Sequence, residues 1–331
     1  MLRVEIPKGP GKVRPLRIPA VKDRIVQTAL KLVMEPIFER EFLDTSYGFR
    51  PRRGCKDALR EVDRLLKAGY THVVDADLQS YFDTIPHAQL MRRVGELVSD
   101  GRLLSLIGAF LRQDIVKGVQ RWTPTGGTPQ GAVISPLLAN SYLHPLDCRM
   151  RERGYRMVRY ADDFVVLCQT ADEARAGLAE VQAWVQANAL SLNLNKTHVG
   201  DCREKGRGFD FLGYHFEAGQ RWVRRKSPTA IRDRIRATTG RTRGDSLARI
   251  IAELNPMLKG WYGYFKHAHP WTFDGMDGFV RRRLRSLLRK QQKRPGIGHN
   301  LADHHRWPNA FFAEAGLFTM TEAYARASRP R

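Results

Sequence analysis

The sequence predicts an α+β fold, and three observations point to it. Short runs of β-branched and aromatic residues end in acidic residues, as strands do at a polar edge. Longer segments repeat apolar residues every three or four positions, which indicates helices. The last third of the chain combines helical spacing with many Arg and Lys residues. We therefore expect an antiparallel sheet backed by helices, followed by a basic helical region.

Two adjacent carboxylates, Asp162 and Asp163, separate two β-rich apolar runs at residues 157–160 and 164–168. This pattern predicts a β-hairpin with the acids at its tip. Like charges side by side repel, so a folded chain keeps them together with solvent, a counter-charge or a bound cation. Mg²⁺ prefers a few carboxylates together with substrate phosphates, so the pair indicates phosphoryl chemistry. The alternative is a polar turn without chemistry, because Asp favours turns.

A second acidic cluster follows the apolar run that begins at Tyr70. Asp75 and Asp77 are two residues apart, so a strand directs both side chains to one face. Asp83 precedes Ile85-Pro86, and we expect it to be a cap or turn residue before a helix that this proline opens. The alternative is a strand that ends in solvated acids. Carboxylates that converge from two strands fit a two-metal centre, in which the ions lie about 3.5–4 Å apart.

Apolar residues at helical spacing predict a series of helices. The first helix, residues 21–42, has this spacing at Ile25, Ala29, Leu32, Val33 and Ile37. Further helices are predicted at residues 56–66, 90–97, 103–111, 135–150, 171–188, 248–265 and 273–292. Residues 114–122 are predicted to form a strand pair or an edge strand, and further strands are predicted at residues 209–216 and 220–225. Ser135-Pro136 is typical of a helix cap followed by a first-turn proline.

The length and composition limit the class of protein. A chain of 331 residues is long enough for one large domain or two to three modest ones. No apolar run approaches the roughly 18–20 residues that span a membrane, and no secretory leader opens the chain. The cysteines are scattered, which disfavours a zinc site or a disulfide framework. They are Cys55, Cys148, Cys168 and Cys202. We expect an intracellular protein with reduced thiols.

The charge is strongly basic and unevenly distributed. The chain carries a net charge of +22, and residues 221–331 alone hold 24 Lys and Arg against 8 Asp and Glu. Such an excess in one segment is typical of a protein that binds nucleic acid, because binding releases counterions from phosphates. The alternatives are a solvated basic surface and a helix attracted to a membrane. The basic run at residues 281–290 suits either partner.

Three blocks together resemble a known family. Residues 77–83, Asp-Leu-Gln-Ser-Tyr-Phe-Asp, resemble the first catalytic block of reverse transcriptases, and Tyr160-Ala161-Asp162-Asp163 resembles the second. Between them, residues 126–140 resemble the Gln-Gly block of group II intron-encoded reverse transcriptases. The order and spacing of the blocks fit that family. Other blocks extend the match. Residues 6–19 resemble its nucleotide-binding fingers block, and residues 47–54 resemble the next stretch of the family. Residues 194–197 and 211–214 resemble its palm-lysine and primer-grip blocks, and residues 254–265 resemble its thumb or maturase domain.

The resemblance implies a right-hand polymerase. It assigns residues 1–70 to partial fingers, 71–220 to a palm with the catalytic sheet, and 221–331 to a basic helical thumb or maturase region. It implies an RNA-directed DNA polymerase that uses two Mg²⁺ ions, an RNA template, a DNA primer and deoxynucleoside triphosphates. It also implies binding of group II intron RNA, no membrane partner, and a bacterial cytoplasmic location.

Two other functions stay open beside this one. The chain is alternatively a non-catalytic RNA-binding maturase or a defective intron-encoded remnant that keeps the palm as a scaffold. An RNA-templated RNA polymerase is disfavoured by the Gln-Gly block, by the maturase-like segment and by Phe82.

The resemblance assigns roles in the metal site. Asp77 and Asp162 are the expected Mg²⁺ ligands, with the Leu78 carbonyl as a further oxygen and Asp163 as a third carboxylate. Lys196 is expected to protonate the leaving pyrophosphate as a general acid. The alternative for Lys196 is a surface lysine at a strand start.

The resemblance also assigns nucleotide contacts. Lys8 and Arg14 are expected to grip the triphosphate, since Arg offers a fork and Lys a point charge. Phe82 stands where a ring would crowd a ribose 2′-hydroxyl and select deoxynucleotides. Gln130 and Gly131 lie in a Gly/Pro-rich loop that permits close approach of the backbone. The alternatives are solvated charges, a core aromatic residue and a tight structural turn.

The chain departs from the family pattern in three places. It begins almost at the fingers block, where members usually carry further sequence, so we expect truncated, incomplete fingers. Arg17 stands where the family commonly has Gly. No Cys/His-rich endonuclease module follows the tail, so we expect no second-strand cleavage by the chain itself.

Overall fold

The computed structural model describes residues 1–9, 11–298 and 300–328, without the side chains of Lys8 and Lys12. These residues form two units, Met1–Cys202 and Arg203–Arg331. The strands within residues 209–223 form a sheet inside the second unit. The bounds predicted for fingers, palm and thumb, at residues 70 and 220, stay predictions.

The first unit contains eight strands and seven helices among its described residues. The strands are β1 (Leu2–Gly9), β2 (Lys12–Ile18), β3 (His72–Asp77), β4 (Ile115–Lys117), β5 (Gln120–Trp122), β6 (Arg156–Tyr160), β7 (Asp163–Cys168) and β8 (His198–Asp201). The helices are α1 (Val21–Glu41), α2 (Cys55–Lys67), α3 (Tyr81–Thr84), α4 (His87–Leu97), α5 (Gly101–Leu111), α6 (Ser135–Glu152) and α7 (Ala171–Ala187).

The second unit contains a short sheet followed by helices. Its strands are β9 (Phe209–Phe211), β10 (Tyr214–Glu217) and β11 (Gln220–Val223). Its helices are α8 (Lys226–Thr238), α9 (Leu247–Phe265), α10 (Trp271–Gln291), α11 (Leu301–Arg306), α12 (Asn309–Glu314) and α13 (Met320–Ala327). Every helix that the sequence predicts is present, with ends within three residues of the prediction. The elements that were not predicted include the β1–β2 hairpin, α8 and the helices α11, α12 and α13.

The central sheet of the first unit has the strand order β6-β7-β3-β8, with antiparallel neighbours. Val74 and Ala76 of β3 are fully buried in the core, while Asp75 and Asp77 are half-buried on the other face. This alternation confirms the prediction that the two acids share one face of a strand. The buried face packs against α6 and α7.

A second sheet of the first unit joins the N-terminal β1–β2 hairpin to β4 and β5. Its order is β2-β1-β4-β5, and the parallel pair Leu2↔Val116 joins β1 to β4. The predicted strand pair at 114–122 is confirmed as β4 and β5. The N-terminal ammonium donates a hydrogen bond to the carbonyl of Asp114, which fastens the start of the chain to this sheet.

Helix α1 is apolar on two opposite faces. Leu30, Met34 and Phe38 are buried in the core. Of the residues that predicted the helix, Ile25, Leu32, Val33 and Ile37 are 39–68% exposed. The helical spacing therefore predicted α1 correctly. The residues that showed it, however, lie on the face of α1 that is directed away from the core of the described residues.

We expect substitutions on these two faces to differ sharply in their effect on stability. Leu30→Ala removes a buried side chain and should lower the free energy of unfolding by about 2–5 kcal/mol. Leu32→Lys, at 68% exposure, should change it by less than about 0.5 kcal/mol. Urea unfolding followed by circular dichroism measures both. Equal losses in the two variants would mean that the exposed face is packed in solution.

The residues predicted as a primer grip form a tight hairpin in the second unit. Leu212 and Gly213 connect β9 to β10 with φ values of +47° and +84°, the pattern of a type I′ turn. The Tyr264 hydroxyl donates to the Leu212 carbonyl at 2.8 Å, and the Tyr214 hydroxyl donates to the Tyr264 carbonyl at 2.7 Å. These bonds fasten the hairpin to α9.

No helix among the described residues is long and apolar enough to cross a bilayer.

Candidate active site

The two acidic clusters of the sequence meet on neighbouring strands. Asp77, at the end of β3, is the register partner of Asp163, at the start of β7. Facing residues of an antiparallel pair have Cα atoms roughly 4.5–5.5 Å apart. Asp162 lies beside them in the two-residue turn between Tyr160 and Asp163. The predicted hairpin with acids at its tip is therefore confirmed.

The backbone is left-handed on both sides of this acidic site. Ala161 has a φ of +60° in the β6–β7 turn, and Ser80, three residues after Asp77, has a φ of +50°. Such conformations cost a non-glycine residue roughly 1–3 kcal/mol and persist only where the surroundings impose them. Strain of this kind is concentrated at functional sites.

The segment before α2 leaves no room for a side chain against the turn. Tyr47 donates its backbone N–H to the Arg159 carbonyl at 2.8 Å, so this segment runs beside β6. A Cβ atom on Gly48 would lie 2.3 Å from the backbone nitrogen of Ala161. Glycine at position 48 is therefore required for the turn to keep its place.

The fully buried Arg159 holds the β6–β7 turn in place. Arg159 forms a bidentate ion pair with Asp147, with Nε–Oδ1 and Nη2–Oδ2 distances of 2.8 and 2.5 Å. Its Nη1 donates to the Ala161 carbonyl at 2.9 Å and to Asn140 Oδ1 at 3.0 Å. Asn140 donates in turn to the Gly48 carbonyl at 2.7 Å. One network thus holds the turn and the segment that packs on it.

Electrostatics keep Arg159 charged. Burial disfavours the charged guanidinium, but the attraction of Asp147 outweighs it, and the pKa of Arg159 lies above its ordinary value. Asp162 lies close enough for its charge to contribute in the same direction. Arg159 is not among the site residues that the sequence predicted. The available signal was an arginine between Val158 and Tyr160 within a predicted strand.

Breaking this network should destabilise the fold. Arg159→Met leaves the Asp147 carboxylate buried and unpaired, and we expect the free energy of unfolding to fall by about 3–5 kcal/mol. The double variant Arg159→Met/Asp147→Leu removes both charges and should recover most of that loss. Urea titrations of the two single variants and the double variant measure the coupling. Additive losses would show that the two charges do not depend on each other.

Lys196 contacts the first of the acids directly. Its Nζ lies 2.8 Å from Asp77 Oδ2, and the two side chains are 60% and 41% exposed. The loop that carries it is held to β3, because Asn193 donates its N–H to the Asp77 carbonyl at 2.8 Å. Lys196 is therefore the cation that balances the charge of Asp77.

Among the residues described, no group of three or more His, Cys, Asp or Glu side chains is arranged to hold a metal ion.

The Gly-rich loop packs on the residues that follow β3. Thr128 donates its N–H to the Phe82 carbonyl at 2.7 Å. A Cβ on Gly127, whose φ is +84°, would lie 2.7 Å from that carbonyl, so glycine is required there. Phe82 is half-buried, and its ring meets the buried Tyr81 ring edge-on at 5.6 Å.

Arg17 and Asp83 connect the N-terminal hairpin to this loop. Arg17 Nη2 lies 2.9 Å from Asp83 Oδ1, and the Arg17 N–H donates to the Gln130 carbonyl at 2.7 Å. Gln130 Nε2 donates to Asp83 Oδ2 at 3.5 Å. Gly131 lies against the same backbone, since a Cβ on it would be 3.3 Å from the Arg17 carbonyl. The arginine at a position where the family has glycine is therefore an anchor.

Two expectations from the sequence were wrong. Asp83 was expected to be a cap or turn residue before a helix, but it lies within α3 and its carboxylate accepts from Arg17 and Gln130. Ser135 was expected to cap α6, but the helix has no side-chain cap and the Ser135 hydroxyl is buried without a hydrogen-bond partner. The Asp83 side chain is bound by residues distant in the sequence, and the Ser135 side chain is enclosed in the core, so neither caps a helix.

The predicted phosphate contacts lie on the hairpin. Arg14 is exposed on β2 and pairs in register with Ile6 of β1. Lys8 lies on β1, and its side chain falls outside the described part of the structure. Arg14 is three residues from the anchor at Arg17, so the hairpin is tied down close to this candidate contact.

Comparison with known proteins identifies the family. Residues 6–216 match the family model for reverse transcriptase (RNA-dependent DNA polymerase). The chain belongs to the reverse transcriptase family. Residues 228–307 match the group II intron, maturase-specific domain, so the chain carries a maturase-type segment in its second unit. Both matches confirm the resemblance seen in the sequence blocks.

Individual relatives agree with this assignment. Protein YkfC of Escherichia coli is 36% identical over 251 residues, which cover 64% of this chain and 65% of YkfC. The group II intron-encoded protein LtrA of Lactococcus lactis is 39% identical over 140 residues, covering 42% of this chain and 23% of LtrA. The chain thus spans less than two thirds of the length of either relative.

A solved structure confirms the fold. The telomerase of Candida albicans matches 98% of this chain and 63% of its own length with a TM-score of 0.54, at 12% sequence identity. At that identity the likeness concerns the fold alone. Together with the family match, it confirms the predicted α+β polymerase architecture with its antiparallel sheet.

Proposed function

We propose that this chain is an RNA-directed DNA polymerase that extends a DNA primer on an RNA template and also binds group II intron RNA. The observation that carries the proposal is the pairing of Asp77 with Asp163, with Asp162 in the adjoining turn, in a chain of the reverse transcriptase family. Binding of intron RNA is supported by the maturase-specific match and by the basic charge of residues 221–331.

The acidic residues suit magnesium. Mg²⁺ is commonly held by one or two carboxylates together with substrate phosphates, so a compact cage of three protein ligands is not required. Asp77 and Asp162 are the proposed ligands, with Asp163 beside them. When bound, two such ions neutralise and align the attacking and leaving oxygens of an in-line displacement.

The Leu78 carbonyl is the proposed further oxygen ligand. The backbone groups of Asp77 and Gln79 bond to residues 193 and 191, on one edge of the strand. Alternate residues of an extended strand direct their polar groups to opposite edges, so the Leu78 carbonyl is directed to the edge where Asp163 lies.

Lys196 has two connected roles in this proposal. Its contact with Asp77 balances the carboxylate before substrate binds, and both groups are exposed enough for the pair to separate at low cost. Released from Asp77, the ammonium lies beside the reacting phosphates and can donate a proton to the leaving pyrophosphate.

Nucleotide contacts are proposed around the Gly-rich loop. Lys8 and Arg14 hold the triphosphate, because ammonium and guanidinium groups neutralise the charge that phosphoryl transfer concentrates there. Gln130 and Gly131 line the nucleotide through backbone held by Arg17. The Phe82 ring limits the space beside the sugar.

Removing either principal carboxylate should abolish DNA synthesis. Asp77→Ala or Asp162→Ala should reduce extension of oligo(dT) on poly(rA) by more than about 100-fold. Loss of a group that only hydrogen-bonds to a metal ligand already lowers metal affinity or activity by about 10–100-fold, and loss of the ligand itself should cost more. The circular dichroism spectrum should stay unchanged. Asp172→Ala, which removes an acid that is 91% exposed and paired with Arg175, is the matched control and should keep full activity.

The alternative function makes the opposite prediction. A non-catalytic RNA-binding maturase would bind RNA but extend no primer, and the aspartate variants would match the parent in every assay. The basic charge of residues 221–331 fits both functions, because both bind RNA, so primer extension is the property that distinguishes them. Wild-type synthesis by either aspartate variant would instead rule out the proposed ligands.

Phe82 provides a test of sugar selection. Phe82→Val shortens a half-buried side chain and should raise incorporation of ribonucleotides relative to deoxynucleotides by about tenfold or more. Single-nucleotide extension with matched dNTP and rNTP pairs measures the ratio. Leu192→Ala trims another partly buried residue packed on the same core and should leave the ratio unchanged. An unchanged ratio in Phe82→Val would place sugar selection elsewhere.

A further inference from the structure

The Gly-rich loop of the first unit has a buried base and an accessible tip. Gly127, Thr128 and Pro129 are buried, whereas Gln130 is half-buried and Gly131 is exposed. The tip is the part proposed above to line the nucleotide. Contacts that hold the residues on either side of it therefore decide where the tip lies.

A histidine holds the loop before the tip. His87 is the first residue of α4, and its Nε2 lies 2.8 Å from the Gly127 carbonyl. A carbonyl oxygen only accepts, so Nε2 carries the hydrogen in this contact. The Gly127 N–H donates to the Ile85 carbonyl at 2.8 Å. With the His87 bond, both polar groups of this buried residue are paired, as buried backbone requires.

A glutamine holds the loop after the tip. Gln27 lies on α1 and is fully buried, and its Oε1 accepts the Val133 N–H at 2.9 Å. Gly127 and Val133 each lie three residues from Gln130 along the chain. Side chains from two helices, α1 and α4, therefore hold the loop at matching positions before and after Gln130.

The hydrogen bonding of Gln27 favours a role in geometry over a role in stability. Its Nε2 is buried and has no hydrogen-bond partner among the described residues. A buried donor without an acceptor costs free energy. Methionine in its place would remove this cost but would leave the Val133 N–H without its acceptor. Departures of this kind from full hydrogen bonding are expected mainly at functional sites.

We propose that His87 and Gln27 are positioning residues for Gln130 and Gly131, which line the nucleotide in the function proposed above, on which this inference rests. Each side chain acts through one backbone group of the loop and needs no contact with substrate. Contacts that bind the substrate equally in the ground state and the transition state govern KM and leave kcat unchanged. Loosening the loop should therefore raise KM for the nucleotide.

The test measures KM for a deoxynucleotide and kcat in single-nucleotide extension of a DNA primer on an RNA template by the full chain. His87→Leu and Gln27→Met each remove one bond to the loop. Each should raise KM about threefold to tenfold, which is the effect of one hydrogen bond. The value of kcat should stay within about twofold of the parent.

Conservative variants separate positioning from a general loss of stability. His87→Gln keeps an amide donor, and Gln27→Glu keeps a carboxyl oxygen for the Val133 N–H, so KM should return to within about twofold of the parent. Gln89→Met is the matched control. Gln89 lies on α4 two residues after His87, and it accepts from the Tyr142 hydroxyl at 2.6 Å. Its loss should leave KM unchanged.

Hydrogen exchange gives a readout that does not depend on synthesis. In Gln27→Met the Val133 amide loses its acceptor, so it should exchange at least about tenfold faster than in the parent. Mass spectrometry on overlapping peptides that span residues 130–134 measures the rate. Gln27→Glu and the control Gln89→Met should exchange like the parent.

Three outcomes would overturn the proposal. An unchanged KM in folded His87→Leu and Gln27→Met would mean that the nucleotide does not depend on these bonds. An equal rise of KM in Gln89→Met would assign the effect to packing in general. A parent that extends no primer would contradict the proposed function as well, which distinguishes that failure from the other two. If Gln27→Met does not fold, His87→Leu decides the question, because His87 is only half-buried.

Discussion

The candidate site depends on one buried ion pair, Arg159 with Asp147. Both side chains are fully inaccessible to solvent. The free-energy cost of their desolvation therefore offsets much of the electrostatic attraction between them. What the pair adds is geometry, because the same guanidinium binds the Ala161 carbonyl and Asn140. The left-handed residue in the turn is held there, and Asp162 and Asp163 are presented at the end of the sheet. A hydrophobic pair of similar size would fill the space without directing the turn.

A second arginine performs a comparable task at the surface of the first unit. Arg17 binds the Asp83 carboxylate through its side chain and the Gln130 carbonyl through its backbone. Two parts of the chain far apart in sequence are joined at the loop proposed to contact the nucleotide. The second unit uses arginine differently, since Arg232, Arg236 and Arg282 surround the Phe279 ring at 5.2–5.7 Å and, among the ion pairs of the described residues, have Asp233 as their one acidic partner. Arginine thus organises the candidate active site and concentrates positive charge in the second unit.

Much of the local structure could be predicted from sequence because short-range patterns determine it. Asp75 and Asp77 share a face because a strand has a period of two, and Asp162 lies in a turn because two β-rich runs flank it. Prediction failed where long-range packing decided the outcome. The spacing at Ile25, Leu32 and Val33 identified a helix but not the face that meets the core. Asp83 had the local setting of a cap, yet Arg17 and Gln130 bind it.

The sequence by itself determined most of the helices, the strands that carry the acids, the acidic residues and the family, because each is written in neighbouring residues or in blocks with fixed spacing. Tertiary structure alone decided that Asp77 faces Asp163, that Arg159 supports the turn, and that Gly48 must be glycine. It also decided that arginines from α8 and α10 converge on Phe279. The physical reason is that contacts between distant residues depend on register and packing, which no local pattern encodes.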